Sequence, residues 1–461
     1  MLSWLASAYL IATAACQPLA GRLTDIFSRR MGLIVSNVLF AVGCLICSLA
    51  RNEWVLIVGR AVSGAGGGGL GIISTLVSSD LVPLRNRGLW QGLGNIMYGL
   101  GMSLGGFAGG WINDLLGWRW VFLLQIPFIL ISGILVSLYV KIPVKETKTA
   151  AWRRIDYWGA MLLTFSLVLL LLGVNTGGNQ LPWSSPFVLT MLSLAVISLS
   201  LFILVENRWA EEPIIPIRLF LHRTVWTACL TNIFSTMVTF IILFYIPLYL
   251  QIGGLSAEAT GRRLIPNAAA MSSGSLITGL IMRTTGRYYL MNGILSAVFI
   301  GGIVLLNTLS FASPAWKTFV FLLPGGFAYG GMLTIMLVAL IAAVDHKDQA
   351  VVTSMSYAFR SVGSTTGVAI GSAVFQNRLG RALHEVLAHV PGREKIIAQL
   401  KDDYHTMERL PASLRQLALD GYMEAFRATF LAALALVVAA GFTSLFVREH
   451  KLYASLTRDR A

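Results

Sequence analysis

The chain is 461 residues long, and 56% of it is hydrophobic while only 12% is charged, about half the charged share of a soluble globular chain. A soluble chain with so little charge could not cover its own surface, and the same composition excludes disorder, collagen-like repeats and a small disulfide scaffold. The net charge of +14 therefore reads as the charge that holds loops on one side of a membrane, not as a nucleic-acid footprint.

A membrane-spanning helix needs about 20 mostly apolar residues. Such runs fall at residues 2–20, 31–50, 54–76, 89–112 and 119–140, then at 157–174 and 186–205. Six more follow at 225–250, 264–282, 290–310, 318–344, 350–375 and 423–447, which predicts thirteen spans. The runs are continuous rather than alternating, which excludes a β-barrel. The first run has no basic segment before it and leads into Gln17-Pro18, so it predicts a span rather than a signal peptide. Cys44 and Cys47 lie inside the second run with no second pair, and read as buried hydrophobes.

With residues 21–30 placed in the cytoplasm, twenty Lys and Arg fall in loops on that side and five on the other: Arg51, Arg119, Arg262, Arg263 and Lys317. That asymmetry predicts a cytoplasmic C-terminus, and thirteen spans then put the N-terminus on the opposite side. The long segment 376–422 mixes charges with Leu and Ala, and predicts a non-cytoplasmic loop with one or two amphipathic helices.

A short pattern occurs twice. Gly21-Arg-Leu-Thr-Asp25-Ile-Phe-Ser28-Arg29-Arg30 follows the first span, and Gly279-Leu-Ile-Met-Arg283-Thr-Thr-Gly286-Arg287 follows the ninth. Each has Gly at zero, a charge at plus four and Arg at plus eight, which suggests two homologous helical bundles.

At these residues the chain resembles the major facilitator superfamily. Residues 21–30 look like its signature loop, G-x-L-a-D-r-x-G-r-k, with Ser28 where the family has Gly. Arg60-Ala-Val-Ser-Gly64-Ala-Gly66 resembles the R-x-x-x-G-x-G signature of its fourth helix. Gly101-Met-Ser-Leu-Gly105-Gly106-Phe-Ala-Gly109-Gly110 resembles the antiporter motif of its fifth helix, with Gly106 at the Pro position. Further fragments, among them Trp118-Arg119-Trp120-Val-Phe122, Pro213-Ile-Ile-Pro216 and Phe359-Arg360-Ser-Val-Gly363, are similar to the fourteen-span drug:proton antiporter branch and, within it, to fungal vacuolar basic amino acid transporters.

The resemblance implies an all-α membrane fold of two pseudo-symmetric bundles. Residues 1–140 would form an N-terminal bundle of five helices, lacking the family's first. Residues 141–224 would supply a basic loop and two linking helices, 225–447 a C-terminal bundle of six, and 448–461 a cytoplasmic tail. It further implies a monomeric secondary transporter in the plasma or vacuolar membrane. Such a protein exports small organic solutes against protons, needs no cofactor or metal, and is not an enzyme. The alternatives are a vacuolar basic amino acid transporter and, from another class, an inactive pseudo-transporter or membrane sensor.

Site residues carry over in three groups. Gly21, Asp25, Arg29, Arg30, Gly279, Arg283 and Arg287 would form a conformational latch, because a charge cluster intact in one state and broken in the other biases a two-state equilibrium. Arg60 and Arg360 lie well inside spans, where a charge is costly unless it faces a cavity or partner; with Asn95, Tyr98, Gln125, Asn232, Tyr245, Asn267 and Tyr357 they would line the cavity or couple to protons. Gly101, Gly105, Gly106, Gly109 and Gly110 would let the bundles approach closely, so that Gly105→Leu is expected to harm function more than Gly43→Leu. Every carboxylate lies in a loop or at a span end, although relatives usually carry an Asp in the first helix. The missing helix is expected to leave Asn95 facing lipid.

Overall fold

The structure is a computed structural model that describes residues 2–142, 156–178, 181–209, 213–345, 348–387, 393–402 and 411–452. The first set of helices is α1 (Leu2–Ile26), α2 (Arg29–Leu49), α3 (Glu53–Leu81), α4 (Leu84–Leu116), α5 (Trp118–Leu123) and α6 (Gln125–Tyr139). A hairpin of α7 (Tyr157–Thr176) and α8 (Pro186–Arg208) follows, then the single turn α9 (Ile217–Phe220). The second set is α10 (Arg223–Ile252), α11 (Ala257–Thr285), α12 (Tyr289–Asn307), α13 (Ala315–Val320), α14 (Leu322–Ala343), α15 (Gln349–Val386), the short α16 (Arg393–Asp402) and α17 (Ala412–Ser444).

Local chemistry sets several helix starts. The side chains of Ser28, Asn52, Asp156 and Ser256 accept hydrogen bonds from the backbone N–H of Met31, Val55, Gly159 and Ala259, satisfying donors that a helix start leaves open. Gly286, at φ +69°, ends α11 in the left-handed region that favours glycine.

Several sequence-based boundaries move. Residues 21–26 are the last turn of α1 and not a loop, since nothing in Gly21–Ile26 breaks a helix. The expected loop 376–422 shortens at both ends, because α15 runs on to Val386 and α17 starts at Ala412; part of the remainder, 388–392 and 403–410, lies outside the described residues. These helices continue past the apolar stretch because backbone hydrogen bonding does not stop where hydrocarbon does.

Among the described residues ten helices, with α5–α6 and α13–α14 each counted as one, are long and apolar enough to cross a membrane. Three further expected spans, α1, α4 and α15, are 25, 33 and 38 residues long and are not among these ten. α1 packs across the molecule on α15, and α4 on α11, so these helices present Gly, Ser, Thr and Asn to another helix in place of Leu to lipid.

The chain alternates direction, so one end of the molecule gathers Arg29, Arg85, Arg283 and Arg287. We term it the basic end. The repeated Gly pattern pairs α1 with α11, hence α2 with α12, α3 with α13–α14, α4 with α15 and α5–α6 with α17. That leaves α10 without a counterpart. α10 packs on α15, α17 and α14, and the largest buried apolar cluster is built mainly on α10–α17. In the first set no described helix takes that place: 6% of the apolar stretch of α5–α6 is buried, against 44% for α17.

Candidate functional site

At the basic end, Arg29 joins three elements. Its guanidinium pairs with Asp25 at 2.7 Å and with Asp80 at the end of α3 at 2.9 Å, and donates to Thr24 Oγ1 at 2.9 Å. Arg30 instead reaches Ser137 of α6 at 3.1 Å. Two further arginines, which the sequence places in a family-like fragment, Ser79–Gly88, without a site role, cross between the helix sets. Arg85 donates to the carbonyls of Arg283 and Thr284 at 2.7 and 3.1 Å. Arg87 donates to Gln349 Oε1 at 2.9 Å and to the carbonyls of Val82 and Ser79. Of the second pattern, the Arg283 carbonyl is an acceptor in this contact, while among the described residues Arg287 bonds locally, its backbone N–H donating to Thr285 Oγ1 and its carbonyl accepting from the same hydroxyl.

The glycines of the repeated pattern serve helix approach. A Cβ on Gly21 would fall 3.0 Å from Ser354 Cβ of α15, and one on Gly279 2.8 Å from the Leu89 nitrogen of α4. Gly92 and Gly99 continue the second crossing, against Leu276 and Ser272. No atom of the described residues lies within 4 Å of a Cβ at Gly101, Gly105 or Gly261. The expectation for the antiporter motif is thereby corrected: close packing of α4 uses Gly88, Gly92 and Gly99, not Gly101 or Gly105. Gly109 meets only Val121, at 3.9 Å, and the surroundings of Gly106 and Gly110 lie outside the described residues. Gly43, outside any motif, is packed against the Ser63 backbone.

Between these crossings and the opposite end lies a central cleft. Tyr357 of α15 and Thr75 of α3 place their hydroxyls 2.7 Å apart, and Ser361 donates to Gln17 of α1 at 2.8 Å. Tyr98 of α4, 57% exposed, lies near Tyr9, Tyr329 and Tyr357. Arg60 donates to the Leu5 carbonyl at 3.2 Å and sits 4.4 Å above the Tyr9 ring. Arg360 donates to Asn232 Oδ1 at 3.3 Å and to the Leu333 carbonyl at 2.9 Å, 5.1 Å above the Tyr357 ring. Arg60, Arg360, Tyr98, Asn232 and Tyr357 are thus brought to one region. Tyr9, Tyr329, Thr75 and Gln17 join them unforeseen, because a single aromatic or small polar residue in an apolar helix carries no signal of its own.

The remaining candidates lie elsewhere. Tyr245 is buried against Phe375, ring centroids 5.1 Å apart, and Gln125 is turned to the Val121 carbonyl and Cys44. Asn267 packs against Gly326 of α14. Asn95, expected to face lipid, is 7% exposed and donates to Ser275 Oγ at 2.7 Å; it sits on the α11 side of α4, not on the open side. Glu206, a span-end residue by sequence, is 6% exposed, and its Oε1 accepts from the backbone N–H of Ile214 and Ile215 at 2.9 and 3.4 Å.

Comparison with known proteins places this arrangement. Residues 1–368 match the family described as Major Facilitator Superfamily. The chain is 37% identical to the multidrug resistance protein fnx1 of Schizosaccharomyces pombe over 99% of its length and 87% of that protein. It is 34% identical to the vacuolar basic amino acid transporter 2 of Saccharomyces cerevisiae, covering 95% of this chain and 96% of that one. Among solved structures it is similar in fold to the human organic anion transporter MFSD10, with a TM-score of 0.62 at 13% identity, over 96% of this chain and 83% of that one. The chain belongs to the Major Facilitator Superfamily and is a multi-pass membrane protein with the fold and function of a secondary transporter.

Proposed function

We propose that the chain moves small organic solutes by alternating access, exporting them from the cytoplasm in exchange for protons, with the basic end cytoplasmic. The carrying observation is the one-sidedness of the cleft. Every cross-cleft contact described above, from Arg87–Gln349 through Tyr357–Thr75 to Asn95–Ser275, lies between the basic end and the middle of the helices. This arrangement supports a state closed to the cytoplasm and open to the other side. The Arg29 cluster would then act as the latch of that state, since it holds the end of α1 to the end of α3 while α1 crosses to α15.

The first helix set takes a sixth helix on α4. In the second set, Gly363, Gly367 and Gly371 of α15 pack against Ile233, Met237 and Tyr245 of α10. In the first, a Cβ at Gly94, Gly101 or Gly105 of α4 would meet nothing. A helix seated there would complete the cleft wall and could bring the membrane-embedded acid that proton exchange requires.

Vesicles reconstituted with the chain test the reading. Imposed pH gradients should drive solute accumulation, and more strongly once an N-terminal helix from a relative is fused ahead of residue 1. The absence of flux in the fused protein, at normal folding, would favour a membrane sensor.

A further inference from the structure

We propose that the central cleft selects solutes bearing a carboxylate, held by the guanidinium of Arg360, over solutes that are only cationic. The inference rests on the transport reading above and names the substrate class of the same cleft.

Arg360 lies about three turns into α15 and presents the planar guanidinium fork suited to a carboxylate. Its Nε and Nη2 are bound to the Asn232 amide oxygen and the Leu333 carbonyl. Both acceptors are neutral, and Nη1 donates to nothing among the described residues. The titratable groups facing it from α10, α14 and α15 are Cys229, Tyr329 and Tyr357, none of them a carboxylate. Arg60, the other guanidinium of the cleft, also rests on a carbonyl and a ring. The described ion pairs engage Asp25, Asp80, Asp348, Glu394 and Glu424, none of them with Arg60 or Arg360.

Among the described residues the cleft therefore carries two arginine charges with no carboxylate paired to them, in surroundings where such a charge is costly without a partner. A cationic solute would add to that cost. It would also find one face of the Tyr9 ring and one of the Tyr357 ring already occupied by the chain's own guanidinium groups, which leaves less room for cation–π binding there. A carboxylate supplies the missing charge and accepts from the free guanidinium edge, the geometry for which arginine is suited. The position of Arg360 gives binding a mechanical outlet. It lies between Tyr357 and Ser361, the two α15 residues bonded across the cleft to Thr75 and Gln17, so drawing the guanidinium towards a solute disturbs its stacking on Tyr357 and with it that contact.

The test uses the 461-residue chain, purified in detergent, and matched pairs that differ only in the carboxylate: lysine and cadaverine, tyrosine and tyramine, tryptophan and tryptamine. Thermal melting is followed against concentration. At least one amino acid should stabilise the protein with an apparent affinity at least about tenfold better than its amine. Arg360→Gln should abolish that difference, and Arg360→Lys should keep part of it, because the charge remains and the planar fork is lost. The proposal is overturned if no amino acid stabilises the wild-type chain more than its amine, or if Arg360→Gln responds as wild type does. Should Arg360→Gln not fold, the wild-type pairs and Arg360→Lys decide. Ethidium flux in vesicles is read separately: transport of this cation with no preference for carboxylates would remove the present inference and leave the transporter reading standing.

Discussion

The hydroxyl of Tyr357 on α15 lies 2.7 Å from that of Thr75 on α3, joining residues 282 positions apart across the centre of the molecule. It is a weak bond in a place where weak bonds count. Alternating access requires that contacts on one side of the cleft break while others form, and a single hydroxyl pair contributes about 1 kcal/mol, enough to bias the two states without locking either. Removing it with Tyr357→Phe should raise the share of the state open at the basic end by roughly fivefold. Ser354, buried against Gly21 at that end, reports on it: as a cysteine it should react with an impermeant maleimide several-fold faster in the Tyr357→Phe background.

Asp25→Asn should leave membrane insertion intact and reduce flux several-fold in the helix-completed protein. Arg29 keeps Asp80 but loses one of its two ion pairs, so the end of α1 is held less firmly. Wild-type flux from a well-folded Asp25→Asn protein would dismiss the latch.

Glycine substitutions should separate contact from open face. Gly279→Leu drives a side chain into the backbone of Gly88 and Leu89 and should destabilise the protein by about 1–3 kcal/mol or more. Gly105→Leu meets nothing and should leave the melting temperature of the 461-residue chain close to wild type. Gly43→Leu, against the Ser63 backbone, should behave like Gly279→Leu. Melting curves of the three purified variants decide the order.

The contrast between Gly43 and Gly105 shows what the sequence could and could not reveal. Apolar runs and the charge asymmetry of the loops made nearly every helix legible, because hydrocarbon thickness imposes one length on all of them. The breaks at Leu124 and Phe321, which divide α5 from α6 and α13 from α14, left no trace, since both residues are apolar and helical in conformation. Motif glycines were legible as glycines but not by partner: Gly21 and Gly279 meet the opposite helix set, whereas Gly101 and Gly105 meet nothing. The cleft was half legible. Charge inside a span marks Arg60 and Arg360, but Tyr9 and Tyr329 look like any core aromatic until α1 and α14 are placed beside α4 and α15. Asn95 was misplaced because its direction depends on which face of α4 turns to α11, and composition does not record direction.

Glu206→Ala should lower stability by about 1–3 kcal/mol, well above the effect of a typical surface change. Its carboxylate holds the N–H groups of Ile214 and Ile215 in the turn that joins α8 to α10, and alanine leaves those donors buried without an acceptor. Thermal unfolding of the variant, alongside Glu206→Gln, which retains an acceptor, measures the difference.

Alternating access itself is tested most directly by the distance between spin labels at Leu81, on α3, and Leu290, on α12, exposed positions near the basic end on opposite sides of the cleft. The account predicts two distance populations in the helix-completed protein, with the longer one gaining weight when a transported solute is added and again in Tyr357→Phe. One short distance, unchanged by solute, by pH and by Tyr357→Phe, would contradict it.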